Sequence, residues 1–288
     1  MSIFKIFSTI VFLYSTIVFA QGNDLNKGIA RLLVDNPSII IIGEDHQNPG
    51  LAVGINDLLS TQYFNCLFLE LSSDLQLSLD EAVASKNLEH FSQIVIDSKI
   101  PAMIHAYQKM GVADQQLESV KSALQSVQKS SLANFPFNQD TLNLLSKNDI
   151  SLIPYDADSK SQEIIDQTEV VVKDNYWPRD IKRDIEGMRI GNLRSKIMSQ
   201  NITKQFQVKK CTKAIVVIGY AHLYSSKYFN SFYKSDVNLN PLQDLLSDEG
   251  FQNKVIIAER ASGSSNTTIQ YNPNATRFSR HFGQLINP

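Results

Sequence analysis

Five short runs of this chain, Ser38–Ile42, Leu67–Leu71, Ser151–Tyr155, Ala214–Ile218 and Lys254–Ala258, are β-branched or leucine-rich and show no polar alternation. A strand with one wet face alternates apolar and polar residues, whereas a strand covered on both faces does not. The runs therefore predict a parallel sheet sandwiched between helices. Helical patterns fall where such a sheet needs crossovers: Leu51–Thr61 after the first run, Thr141–Lys147 before the third, Pro178–Gln200 before the fourth and Pro241–Asp248 before the fifth. The expected fold class is α/β, three-layered, with a mainly parallel central sheet and right-handed crossovers.

One connection exceeds what a crossover needs. The stretch from about 72 to 139 has helical periodicity, with Leu117, Val120, Leu124 and Val127 on one stripe, and reads as a helical cap inserted after the second strand. Its apolar stripe is expected to pack against the sheet. From about 261 to 288 the chain becomes a tail rich in Ser, Asn and Thr, with a further strand expected at Thr267–Tyr271. The full length of 288 residues suits one large domain, here 21–288.

Residues 1–20 read differently. Lys5 precedes an uncharged, largely apolar run from Ile6 to Phe19, and Val18-Phe19-Ala20 offers small residues for cleavage before Gln21. This is the pattern of a secretory signal peptide, too short for a spanning helix of about 20 residues. An exported protein, periplasmic or extracellular, with no stable membrane anchor is expected. The formal net charge of −2 is spread without a basic block, which argues against a nucleic-acid partner. Cys66 and Cys211 each sit just upstream of an expected strand, so in an oxidising compartment they either pair across the sheet or stay as two buried thiols.

Nearly every expected strand is followed by a potential ligand or acid–base group: Glu44 and His46, Glu70, Asp156 and Asp158, His222, then Glu259 and Arg260. In an open parallel sheet these positions share one carboxyl edge, where loops part and ligands bind. Gly43-Glu44-Asp45-His46 and Gly219-Tyr220-Ala221-His222 are two such corners with the same Gly-x-x-His spacing. Imidazole titrates near neutrality and serves as general base or metal ligand, and a carboxylate orients the ring or joins a metal shell. His90, His105 and His281 fall in the cap and tail.

The paired corners resemble the signature of the superfamily that includes erythromycin esterases, ChaN-type haem-binding proteins, Tiki-type proteases and a domain of the Pasteurella toxin. Phe68-Leu69-Glu70-Leu71 resembles its second-strand glutamate, and Arg189 or Arg194 its arginine-bearing helix; the resemblance spans roughly Pro37 to Arg260. The esterase branch implies His46 as general base, with Glu44 and Glu70 positioning or charging the site. The Tiki branch implies His46, His222 and Glu70 as ligands of a divalent metal (Mn, Co or Zn), which would bring bound water toward a pKa of about 7. Arg189 or Arg194 would balance the carboxylates or hold an anionic intermediate. ChaN-type proteins are typically lipid-anchored, and this chain has no lipobox cysteine, so haem is the less expected cofactor.

The leading expectation is an exported hydrolase of an ester or peptide/amide bond, acting on a small-molecule or peptide substrate with catalytic residues His46, Glu44, Glu70 and His222. The alternative is a ChaN-like protein that binds haem, iron or another ligand at the same crevice. A third reading is a secreted effector or toxin-like protein that meets a host component.

Overall fold

The computed structural model describes residues 33–44, 51–109, 112–131, 137–167, 179–224, 226, 230, 238–260 and 267–270. Residues 1–32, His46 and most of the tail lie outside them. Six strands form one sheet: β1 (Ile39–Glu44), β2 (Cys66–Ser72), β3 (Ser151–Asp156), β4 (Ala214–Gly219), β5 (Asn253–Arg260) and β6 (Thr267–Gln270). Their order is β3-β2-β4-β1-β5-β6. β1 to β5 run parallel, and β6 joins β5 antiparallel as the edge strand that the sequence led one to expect. The other edge strand, β3, carries Pro154, which has no N–H for a second ladder and is therefore suited to an edge.

Eight α-helices lie among the described residues: α1 (Leu51–Ser60), α2 (Gln76–Ser85), α3 (Leu88–Lys109), α4 (Asp114–Ser131), α5 (Gln139–Lys147), α6 (Ser159–Gln167), α7 (Arg179–Val208) and α8 (Leu242–Asp248). No helix among those residues is long and apolar enough to cross a membrane. Strand alternation divides the interior into two apolar layers. Ile40, Ile42, Leu67, Leu69, Ile215 and Val217 pack on one face with Ile55 and Leu58 of α1, Leu79 of α2, Phe91 of α3 and Leu142 of α5. Ile39, Ile41, Phe68, Val216 and Ile218 pack on the other with Met198 and Ile202 of α7 and Leu242 and Leu246 of α8. With both faces dry, the strands have no place for polar alternation, which is why the five runs were legible.

The first part of the long insertion covers the sheet. α2 and the start of α3 supply Leu79, Ala82, Phe91 and Val95 to the first core, beside Leu142 and Leu145 of the crossover helix α5. α5 is fixed by a capping box in which Asn138 and Thr141 exchange backbone and side-chain bonds, and Thr141 Oγ also donates to Asn56 Oδ1 of α1 (2.7 Å). The stripe on α4 differs from expectation. Leu124 and Val120 pack against Ile96, Ile100 and Ile104 of α3, forming a satellite cluster, and not against the sheet. The 22-residue α3 presents an apolar face of its own in Ile96, Ile100 and Ile104, which α4 covers.

Cys66 and Cys211 form a disulfide with Cα atoms 5.8 Å apart. Parallel pairing sets Cys66 opposite Ala214, three residues beyond Cys211, so the bridge clamps the amino edge of the sheet where β2 meets β4. Beside it, Asn65 Oδ1 accepts from the Thr212 and Lys213 N–H groups (2.9 and 3.2 Å).

Candidate functional site

β4 is inserted between β1 and β2, and this placement makes the site. After β1 and β2 the chain leaves for the face covered by α1, α2 and α5, whereas after β4 it leaves for the face of α7 and α8. Neighbouring strands whose exits part to opposite faces leave a crevice at their carboxyl ends, the topological switch point where open α/β sheets bind ligands. Gly43 and Glu44 lie opposite Ile218 and Gly219 in register, so both Gly-x-x-His corners begin at this point.

Glu70 occupies the centre. Cys66 and Phe68 face α7, and two residues on the alternation turns Glu70 to the same side. The β2–β3 register shifts between Leu69 and Ser72, a bulge-like irregularity of the kind that re-aims a side chain at a strand end. Its Oε2 accepts from the Gly219 N–H (2.7 Å), and its Oε1 accepts from Arg194 Nη2 (3.2 Å). Arg194 also donates from Nε to Asp156 Oδ1 (3.3 Å), and from Nη2 to Asp156 Oδ2. Ala157 N–H adds a further bond to Asp156 Oδ1 (2.7 Å). Burial works against the guanidinium charge, but Asp156 and Glu70 overcome it and hold Arg194 above its ordinary pKa. One cation thus bridges the carboxylates of two adjacent strands.

Helical spacing explains why α7 supplies that cation. Gly191, Arg194, Ser195, Met198, Asn201 and Ile202 recur at three- and four-residue intervals and so share one face. Met198 and Ile202 are fully buried against the sheet. Asn201 Nδ2 donates to the Tyr155 and Asp156 carbonyls (3.1 and 3.3 Å), fixing the helix to the end of β3. Toward the amino end the same stripe turns polar as it passes the sheet edge.

His222 sits on a short 3-10 turn, Tyr220–Leu223. Leu223 is fully buried beneath it, and Gln243 Nε2 donates to the Leu223 carbonyl (3.1 Å), so the turn is pinned from below. Gly219 has φ −59° and ψ 128°, a conformation open to any residue. The corner is made by the 3-10 turn that follows. His222 Nδ1 lies 2.9 Å from Ser195 Oγ, and Ser195 Oγ is 2.9 Å from the Gly191 carbonyl. His222 Nε2 faces Glu70 Oε1 at 3.6 Å, beyond hydrogen-bond range, with the imidazole side chain 8% exposed and the Glu70 side chain 12% exposed.

The structure thus gathers Glu70, His222, Asp156 and Arg194. Glu44 is buried at the same edge, and the alternation of β1 assigns it with Ile40 and Ile42 to the opposite face from Glu70. Arg189 stands five residues before Arg194, about 7.5 Å along the helix and a different direction around it. Asp158 is apart from the cluster: its Oδ1 accepts from the Ser161 N–H (2.6 Å) and caps α6. Those Ser161 bonds hold its carboxyl below the usual carboxylate range. Tyr155 is wholly buried and donates to the Val217 carbonyl (2.7 Å). Burial first, then Glu70 and Asp156, push its phenol well above the ordinary value, so it acts as a neutral donor under the site. His90 is at the surface.

Ser195 is the residue that sequence reading passed over. A serine within a helix carries little signal, but its place on a stripe that buries Met198 and Ile202 marks it as inward-facing. Among the described residues no group of three His, Cys, Asp or Glu side chains is arranged to hold a metal ion. His46, the further ligand the resemblance implies, lies outside them.

No protein-family profile matches this chain, and no curated protein matches it. Two solved structures align with it over most of its length. The type III effector HopBA1 aligns at 11% identity over 86% of this chain and 92% of its own, with a TM-score of 0.43. ChaN of Campylobacter jejuni, a structure of cofacial haem binding, aligns at 12% identity over 83% and 88%, also with a TM-score of 0.43. At these scores the likeness decides nothing about the site, whose reading comes from its own geometry.

Proposed function

We propose that this protein binds a compact ligand at the carboxyl edge of its sheet, with His222 as the anchoring residue, and that an iron-centred ligand such as haem is the class to test first. The observation that carries this reading is the division of labour around the ring. His222 Nδ1 is held by a buried helix hydroxyl, while Nε2 makes no hydrogen bond among the described residues. The neighbouring carboxylates are already engaged, Glu70 by Gly219 and Arg194, and Asp156 by Arg194 and Ala157. A site whose imidazole is held at Nδ1 and whose carboxylates are engaged is suited to holding a ligand more than to moving protons between two partners.

The donor chemistry fits such a ligand. Imidazole nitrogen is a common ligand of haem iron. Arg194 uses Nε and Nη2 on the protein, and its side chain is 28% exposed, leaving the second terminal amine for a ligand carboxylate. Hemin titrated into the purified protein should shift the haem absorbance band, and His222→Ala should remove the shift. An identical titration in both proteins would overturn the reading.

Hydrolysis would use His222 with the Glu70 carboxylate 3.6 Å from its Nε2, and with His46, which the sequence places at the neighbouring corner. Ser195 cannot serve as a nucleophile, because it is 2% exposed and bonded within its own helix. An ester and amide panel with and without Mn²⁺, Co²⁺ or Zn²⁺ tests that second reading; turnover abolished in His222→Ala would establish it. Export by residues 1–20 is part of the proposal, and fractionation of cells and medium checks it.

A further inference from the structure

We propose that Ser195 is the positioning residue that keeps the proton of His222 on Nδ1 and leaves Nε2 for the ligand. The inference rests on the reading of His222 as the anchor. A serine hydroxyl has one proton and can donate one hydrogen bond while accepting others. Ser195 Oγ has two neighbours at 2.9 Å, the Gly191 carbonyl and His222 Nδ1. The carbonyl can only accept, so the hydroxyl proton goes to it, as is common for a serine bonding back one helical turn. The ring must then donate, from Nδ1–H to a lone pair of Oγ. In the neutral tautomer that this selects, the lone pair lies on Nε2.

Among the described residues the other side of the ring makes no hydrogen bond. Glu70 Oε1 is 3.6 Å from Nε2, and both Glu70 oxygens accept from other donors, Oε2 from the Gly219 N–H and Oε1 from Arg194. The hydrogen bond that orients the ring is therefore the one to Ser195. Histidines that bind ligands through one nitrogen usually donate the other N–H to a fixed acceptor, and losing that acceptor typically weakens binding by about 10–100-fold. Ser195 is well suited to the task because it is buried on α7, whose neighbouring turn is tied to the strand end through Asn201. Gly191 leaves room beside it: a β-carbon there would lie 3.9 Å from His222 Cε1, an ordinary contact.

The test is made on the full chain without ligand. Long-range ¹⁵N–¹H spectra of the histidine rings, with His222 assigned by its absence from His222→Gln, report which nitrogen carries the proton. The expected result, read at a pH where the ring is neutral, is a proton on Nδ1 that is protected from exchange. In Ser195→Ala the protection should be lost, and in Ser195→Thr, which keeps the hydroxyl, it should return. A wild-type ring protonated at Nε2 overturns the proposal, as does a Ser195→Ala ring unchanged from wild type. The wild-type spectrum decides even if a variant does not fold. Hemin affinity separates this proposal from the one beneath it: a loss in His222→Gln with none in Ser195→Ala overturns only the role of Ser195, whereas no loss in His222→Gln overturns the anchor itself.

Discussion

The two ends of the same sheet are built on opposite terms. At the amino edge the Cys66–Cys211 bridge, the Asn65 bonds and fully buried residues such as Ile39 and Ala214 leave no buried charge among the described residues. At the carboxyl edge, a few residues further along the same strands, Glu44, Glu70, Asp156, Arg194 and His222 are gathered in or near the interior. Moving charges out of water costs several kcal/mol per ion before pairing offsets it, so the carboxyl edge is the strained end. A parallel sheet allows this division because all its strands present the same end to the same loops. One end can be closed for stability while the other is given to function.

The largest effect should come from opening the amino edge. The bridge links residues 145 apart, for which the chain-entropy account gives about 5 kcal/mol, and measured losses typically run about 2–5 kcal/mol. The Cys66→Ala, Cys211→Ala double variant should lose stability in that range on denaturant titration. An unchanged midpoint would mean that the amino edge does not hold the sheet together.

Next is the cation at the other end. Arg194→Ala removes the cation that Glu70 and Asp156 share, and a loss of about 3 kcal/mol is expected, the low end for a broken buried pair because the site is partly exposed. Arg194→Lys should recover only part of it, since an ammonium cannot span two carboxylates as a guanidinium does. Full recovery by lysine, measured by the same titration, would count against the bridging geometry.

Asp158 sharpens the boundary of the cluster. It lies near the edge but caps α6, so Asp158→Ala should cost about 1 kcal/mol without altering ligand binding. Its folded pKa is depressed, so this contribution is present above the ordinary carboxylate value and is lost as pH falls through the lower folded value. The difference in stability between wild type and Asp158→Ala should shrink in that acidic window. A difference independent of pH would contradict the assignment. The smallest expected effect is a gain: nothing lies within 4 Å of a β-carbon added at Gly187 in α7, and Gly187→Ala should stabilise by up to about 1 kcal/mol.

The contrast between the two ends also explains what the chain discloses before it is folded. The strands were readable because burial on both faces removes polar residues from Ile39–Ile42 and Ile215–Ile218. The collection of Glu70, Asp156 and His222 at one edge followed from parallel strands alone. What could not be read was the insertion of β4 between β1 and β2, since long crossovers do not say which strand they reach. That insertion creates the switch point and joins Gly219 to Glu70. The stripe of α4 was assigned to the sheet because periodicity reports that a face is covered and not what covers it. Arg194 was one of two arginine candidates, and only the turn of α7 against β3 singles out its contacts with Asp156 and Glu70. Ser195 was missed because its signal resides in the stripe it shares with Met198 and Ile202.

The most direct test of a carboxyl edge organised around His222 compares hemin binding by wild-type protein and His222→Ala at a pH where both are folded. Saturable binding with a shifted haem absorbance band is predicted for the wild type, weakened at least about tenfold in the variant. Equal affinity and equal spectra in the two proteins would contradict it.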